Sequence, residues 1–466
     1  MNIYFWRQVF ILSANLFLSL STGFMVSFPS VLTPALTSPN NTDIRATANQ
    51  ASWIATSNGF AGIFGFFILS PILQLSGRKV VFIVESSFFL IGWIIFSLAD
   101  NTTALFAARI IQGLAIGGIY INGIIVSEYS DSTKRGTFIA CKKVSIAVGT
   151  LMCHALSIIW SWRQIAMFAI IQPIISIIIT LFWPESPYYL AMKGRFKDCE
   201  RSFIWLHGES NIKELYILLA SQKVIHKNET KKKWYKTLFK KDFLKPLLIA
   251  SLLTLLLELS GKYYFVVFVL QIMTNLIGDK SIALYCTLGA DGLIIVALLL
   301  SCFIINYFKR RAILFSLGLS AAILMLLICL FIILKLSNVV WLVPGLILLL
   351  TFIANVSVIP VCFTLISEIF PLEHKGNGSF ITGIIFTIFY TLILKITPML
   401  MDNYGVQSIF ATYGIGIIFC LVILYFTVPE TKDRTLQDIE NGFKGIRTPT
   451  YNEDEQFDVA NLVSHE

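Results

Sequence analysis

Twelve times along this chain an apolar stretch of about twenty residues recurs, the length a helix needs to cross the hydrocarbon core of a bilayer. Inside hydrocarbon each backbone N–H and C=O must find a partner within its own segment or a neighbour, so stretches of this kind are helical. Windows of about nineteen residues put them near 8–32, 51–75, 79–98, 104–127, 137–159 and 163–183, then near 246–272, 281–306, 312–334, 340–367, 377–400 and 406–428. Composition agrees, with 56% apolar residues and 14% charged where a soluble domain carries about a quarter charged. An ordinary soluble domain and a disordered chain are both excluded. The apolar run after Arg7 lacks the small-residue cleavage site of a secretory signal and reads as the first span. The fold class is all-α and membrane-spanning, and its first partner is the lipid bilayer.

The net charge of +9 raises the question of nucleic acid, but fourteen of the 36 basic residues fall between Lys193 and Lys245, among acidic ones. No nucleic-acid partner is expected. With the N-terminus inside, 29 basic residues are cytosolic, and five (Arg45, Arg109, Arg163, Lys280, Lys335) lie at the outer side. Cytosolic connections carry the Lys/Arg excess in membrane proteins, so both termini are expected in the cytosol. Two sequons, at Asn40 and Asn101, fall in outward connections and are candidate glycosylation sites. The eight cysteines give no disulfide framework.

The two sets of spans repeat one another. Gly77-Arg78-Lys79 follows span two and Lys309-Arg310-Arg311 follows span eight, an offset of 232. Glu128 closes span four before Arg135-Gly136, and Glu368 closes span ten before Lys375-Gly376, an offset of 240. Pro184-Glu185-Ser186 ends the first set and Pro429-Glu430-Thr431 the second, an offset of 245. Landmarks in one order at near-constant offset imply a duplicated six-span unit, an architecture that transporters use with a central site between the halves. The expected organisation is a six-helix half over 1–183, a cytosolic linker with short helices over 184–245, a second half over 246–428 and a cytosolic tail over 429–466.

The ordered set GRK (77–79), EYSDSTKRG (128–136), PESPYYL (184–190), SEIFPLEHKG (367–376) and PETKDRTLQDIE (429–440) resembles the sugar porter family of the major facilitator superfamily. Within it, residues 56–79 are most similar to the trehalose transporter-like members of insects. The resemblance covers all twelve spans and implies a major facilitator fold, a plasma-membrane location, a monomer and a small sugar or polyol as substrate. No cofactor is implied.

The charged repeats sit at the cytosolic seam, where helix-end charges that pair in only one state bias alternating access. Gly77, Arg78, Lys79, Glu128 and Arg135 in half one, with Arg310, Arg311, Glu368 and Lys375 in half two, have the placement for such a gate. Glu185 and Glu430, just beyond spans six and twelve, are placed to receive the arginines. The competing reading is that basic residues at cytosolic helix ends only set topology. The chain departs from the family here: the loop before Gly77-Arg78-Lys79 lacks the usual acid, and Asn306 and Lys309 replace the acid and glycine of the second copy.

The resemblance also assigns cavity positions, and these depart further. A span-five glutamine is replaced by Lys143, the span-seven amide pattern by Leu257-Glu258-Leu259-Ser260-Gly261-Lys262-Tyr263, a span-ten tryptophan by Phe363 and a span-eleven tryptophan by Thr387. Amides suit sugar hydroxyls because they donate and accept at once, and here several have become charged or bulky. Lys143, Glu258, Ser260, Tyr263, Phe363 and Thr387 are the candidate substrate-binding residues. Ser260-Gly261 is expected to break span seven near the site.

Charges within spans need a reason, since each costs about 2.5–3.5 kcal/mol even on mild insertion scales. Glu258 is the deepest, about 18 Å above the start of span seven at helical rise. One reading pairs Lys143 with Glu258 across the cavity; others pair Glu258 with Lys262 at i, i+4, or let Lys142 and Lys143 reach to the cytosolic interface. His154, alone in an apolar span, reads as a satisfied packing residue.

No nucleophile constellation, metal-ligand spacing or phosphate loop stands out, so neither an enzyme nor a bound metal is expected. The leading expectation is a facilitative sugar carrier working by alternating access. Span one has no carboxylate around Ser21-Thr22-Gly23, where proton-coupled relatives often carry one, which favours uniport. Glu85 and Asp291 stay open as proton sites. A non-transporting sugar sensor, or a carrier for another small solute, is the alternative.

Overall fold

A computed structural model describes residues 3–38, 43–131, 134–208, 241–334, 341–370 and 375–432, with Leu215 and Leu219. Every described element is a helix, and eleven are long and apolar enough to cross a membrane. Spans one to three are Ile3–Thr37, Ala48–Leu75 and Arg78–Leu98. Span four is a broken pair, Thr102–Ile116 and Ile119–Glu128, and supplies the twelfth crossing. Span five is Arg135–Leu156, and span six runs through Trp162–Ala169 and Ile171–Phe182. Span seven, Lys241–Leu259 and Tyr264–Ile277, is also interrupted; span eight is Lys280–Tyr307 and span nine Arg310–Ile333. Span ten joins Leu342–Ile353 to Ile359–Glu368, span eleven is Lys375–Tyr404 and span twelve Gln407–Thr427. Two short helices, Pro187–Met192 and Phe196–His207, follow the first half.

The helix starts explain the boundaries. At the outer ends of spans two, four, six and eight, the first free N–H groups bond to Thr47, Asn101, Ser161 and Asp279, with full capping boxes at Thr47/Gln50 and Ser161/Gln164. Such caps satisfy donors that hydrocarbon would leave orphaned. The exposed Asn101 is thus a cap as well as a sequon, whereas Asn40 lies outside the described residues.

Packing divides the molecule into two bundles, with spans one and five, two and four, and nine and twelve among the close pairs. A side chain at Gly117 in span four would collide with the span-two backbone at Gly65 and Phe66, which is why these two helices can touch. The outward face is apolar, with Phe64, Phe182 and Phe426 exposed. At the end that holds the N-terminus Asp131 accepts from Gln8 and pairs with His207, and Arg7 donates to the Trp205 carbonyl. Span one, the loop after span four and the helix Phe196–His207 are tied together by these bonds.

Candidate substrate cavity and cytosolic charge clusters

The cavity lies where two helices are interrupted. In span seven Gly261 takes a φ of +95°, a left-handed value that side chains disfavour, and the helix restarts only at Tyr264. The break expected at Ser260-Gly261 is there. In span ten a π-turn at Ala354–Val358 precedes Pro360. Proline has no N–H to continue the ladder, and π-turns recur at functional sites. Asn355 within that turn donates to the Thr351 carbonyl at 2.9 Å.

Lys143 and Thr150 of span five bring polar groups to the cavity from half one. Half two brings Ser260, Lys262 and Tyr263 from the break, Asp291 from span eight, and Thr351 and Asn355 from span ten. Of the residues expected to bind substrate, Lys143, Ser260 and Tyr263 therefore line it. Glu258, Phe363 and Thr387 are not in its lining. Phe363 instead holds its ring 5.5 Å from the Lys143 ammonium. Thr387 is buried, donates to the Ile384 carbonyl of its own helix at 2.8 Å, and faces Gly62 of span two.

The ion pair expected between Lys143 and Glu258 is not formed. Glu258 is fully buried and neither carboxylate oxygen has a hydrogen-bond partner. The i, i+4 pairing with Lys262 is not formed either, because the helix breaks between the two residues and the Lys262 ammonium lies 5.6 Å from the Tyr263 ring. Nor do Lys142 and Lys143 reach to the interface: Lys142 turns to the Ile119 carbonyl at the span-four break, 3.4 Å away, and Lys143 lines the cavity. There Gly118 leaves room for the buried Glu85 carboxylate, which accepts from Asn122 at 2.8 Å.

One further departure concerns a group placed by topology alone. Arg109 is not at an outer connection but 1% exposed, donating to the carbonyls of Met25 in span one and Ile54 in span two. His154 is satisfied, as expected, but its partners went unforeseen. Its Nδ1 lies 2.6 Å from Asp291 of the other half, and its Nε2 lies 2.7 Å from the Ser30 hydroxyl.

Hydrogen bonds that join the halves lie toward one end of the spans, whereas Phe67 meets Phe380 and Lys143 meets Phe363 nearer the other end. Besides His154 and Asp291, Asn58 donates to the Tyr390 hydroxyl at 3.1 Å, and Lys395 donates to Ser52 and sits 4.2 Å from the Trp53 ring. Lys395 is thus a group of the seam between the halves.

At the end where the N-terminus lies the repeated charges form two related clusters, each within one half. Arg78 forks onto Glu128 at 2.6 and 2.7 Å, and Arg310 reaches Glu368 at 3.0 Å. Glu185 and Glu430 do not receive guanidinium groups, as the sequence led us to expect. They accept the backbone N–H groups of Arg78 and Lys79, and of Arg310 and Arg311. The reason is the same in both copies: a helix starts there with free donors and a positive dipole end, which a carboxylate fits. Gly77, at φ +101°, leaves no side chain to meet Glu185. Lys79 and Arg311 in turn donate to carbonyls at the ends of spans six and twelve. The copies differ in one contact. Ser186 donates to Glu128 at 2.5 Å, whereas the Thr431 hydroxyl, Glu368 Oε2 and Arg310 Nε have no partner among the described residues. Arg135 stands apart from Glu128 with its Nε unpartnered, and the side chain of Lys375 lies outside the described residues.

Comparison with known proteins places this geometry. The chain is 24% identical over 456 residues, 95% of its length, to the facilitated trehalose transporter Tret1 of Drosophila virilis. It is also 24% identical over 455 residues to the Tret1 of Polypedilum vanderplanki, covering 89% of that protein. It spans about half the length of the Drosophila relatives, 49% of the first. Among solved structures, the proton:xylose symporter XylE bound to 6-bromo-6-deoxy-D-glucose superposes with a TM-score of 0.76 at 17% identity, over 94% of this chain and 99% of that one. An inward-open XylE from E. coli gives 0.74 at 16% identity over 94% of this chain and 99% of that one. The fold is that of the major facilitator superfamily, two six-helix halves. Residues 11–443 match the family described as sugar (and other) transporter, and the chain belongs to that family.

Proposed function

We propose that this protein is a facilitative carrier that moves a small sugar or polyol across a membrane by alternating access. What carries the reading is the cavity between the halves, built on the interrupted spans seven and ten. Backbone and side-chain groups freed at such interruptions are how transporters bind a solute at mid-membrane. The Tret1 relatives make trehalose the first candidate, with hexoses and polyols as the other small solutes of this class. The Lys/Arg distribution supports both termini in the cytosol and fits the plasma membrane, with residues 1–183 and 246–428 as the moving halves, 184–245 linking them and 429–466 as a tail. The two cytosolic charge clusters serve as the inner gate, each keeping its own half rigid while the halves separate. We read the carrier as a monomer and a uniporter: Arg109 bonds to carbonyls of spans one and two, with no acid of span one beside it.

Counterflow in proteoliposomes tests the proposal. Vesicles holding trehalose, glucose, fructose or a polyol should accumulate the labelled solute without ATP or an imposed pH gradient. Binding without exchange would instead identify a sensor. A carrier for a solute other than a neutral sugar is the second reading, favoured by the buried charges around the cavity that lack partners.

A further inference from the structure

Lys143 and Lys262 meet the cavity from opposite halves. Neither makes a hydrogen bond or ion pair among the described residues; each faces an aromatic ring, Phe363 and Tyr263 respectively. An ammonium offers three donors and no acceptor, and taking one from water is costly unless an anion or an acceptor meets it. Two of them around one cavity also repel. The acids nearby answer only part of this need. Asp291 is held by His154 at 2.6 Å, and Glu258, fully buried outside the lining, acts on Lys262 through space without bonding to it.

A neutral sugar would leave that imbalance in place, because hydroxyl oxygens neutralise no charge. An anionic group would relieve it, accepting from one ammonium of each half. The remaining polar lining suits the rest of a sugar: Ser260, Thr351 and Asn355 donate to carbonyls of their own helices and keep oxygens that can accept from sugar hydroxyls, and Tyr263 presents a ring. Resting on the carrier reading, we propose that the solute is an anionic monosaccharide whose carboxylate or phosphate sits between Lys143 and Lys262. A solute held by both halves at once also gives them a reason to close around it, since its binding energy is greatest when both lysines reach it.

Counterflow with labelled glucuronate, glucose 6-phosphate, glucose and trehalose tests this on the full chain in proteoliposomes. At least one of the two anions should exchange about tenfold faster than either neutral sugar, the size of one charge-assisted bond. Which anion does so separates carboxylate from phosphate. Its addition to protein adsorbed on a solid-supported membrane should move negative charge, which glucose cannot do. Lys143→Gln and Lys262→Gln should each slow anion exchange about tenfold or more, while Lys143→Arg and Lys262→Arg retain most of it and show that the fold tolerates change there. Exchange of glucose or trehalose with neither anion would overturn the inference and leave the carrier reading standing. Exchange of none of the four would overturn the inference, and failure of fructose and a polyol as well, by protein whose halves still open and close, would overturn the carrier reading too.

Discussion

Ser186 and Thr431 occupy matching places in the two halves, yet only Ser186 reaches its glutamate. A hydrogen bond to a charged acceptor contributes about 1.5–3 kcal/mol, so Ser186→Ala should lower the thermal unfolding midpoint of the solubilised protein. Thr431→Val removes a buried hydroxyl that bonds to nothing among the described residues, and should leave the midpoint unchanged or raise it. Equal losses in both variants would mean that the two copies are equivalent after all. The motifs themselves could be read from the sequence at this scale, because each carries an unusual pair of charges beside glycine or proline. Which atom of a motif meets which partner could not. Glu185 and Glu430 go to backbone donors because helix starts lie within reach, a choice made by the packing of distant segments. Asp43 is another pair of this kind: its hydrogen bond from Arg163 holds the carboxyl below its ordinary value, across 120 positions of sequence.

At the scale of the element, the interruptions matter most. Gly261 holds a left-handed conformation that costs other L-residues roughly 1–2 kcal/mol. Gly261→Ala should therefore lower stability by about that amount and reduce exchange further, because the break carries Ser260, Lys262 and Tyr263 into the cavity. Thermal unfolding and counterflow on one preparation separate the two effects; a fall in neither would show that the break is not needed. This interruption was legible, since a serine-glycine pair inside an apolar span is a poor helix former. The π-turn of span ten was not. Pro360 announces a disturbance, but whether it produces a kink or a π-turn depends on what packs around Ala354–Val358. Thr351 and Asn355 were missed for that reason.

At the scale of the whole molecule, His154 and Asp291 join the halves near the outer side. Opening outward must separate them. Asp291→Asn removes the charge from this contact and should shift the population toward outward-open by about tenfold. Spin-label distances between the outer ends of spans two and eleven measure the shift, and an unchanged distribution would deny the contact a role in closure.

The sequence by itself determined the class, the number of crossings, the duplication and the family, because each is written in local hydropathy or in motifs at fixed spacing. Only the tertiary structure decided which charges meet. The Lys143–Glu258 pair was a sound expectation from depth along two helices, yet Glu258 is buried without a partner and Lys143 turns to Phe363. Depth fixes one coordinate of a side chain; helix rotation, the break in span seven and the contact between the halves fix the others, and none of these is encoded locally.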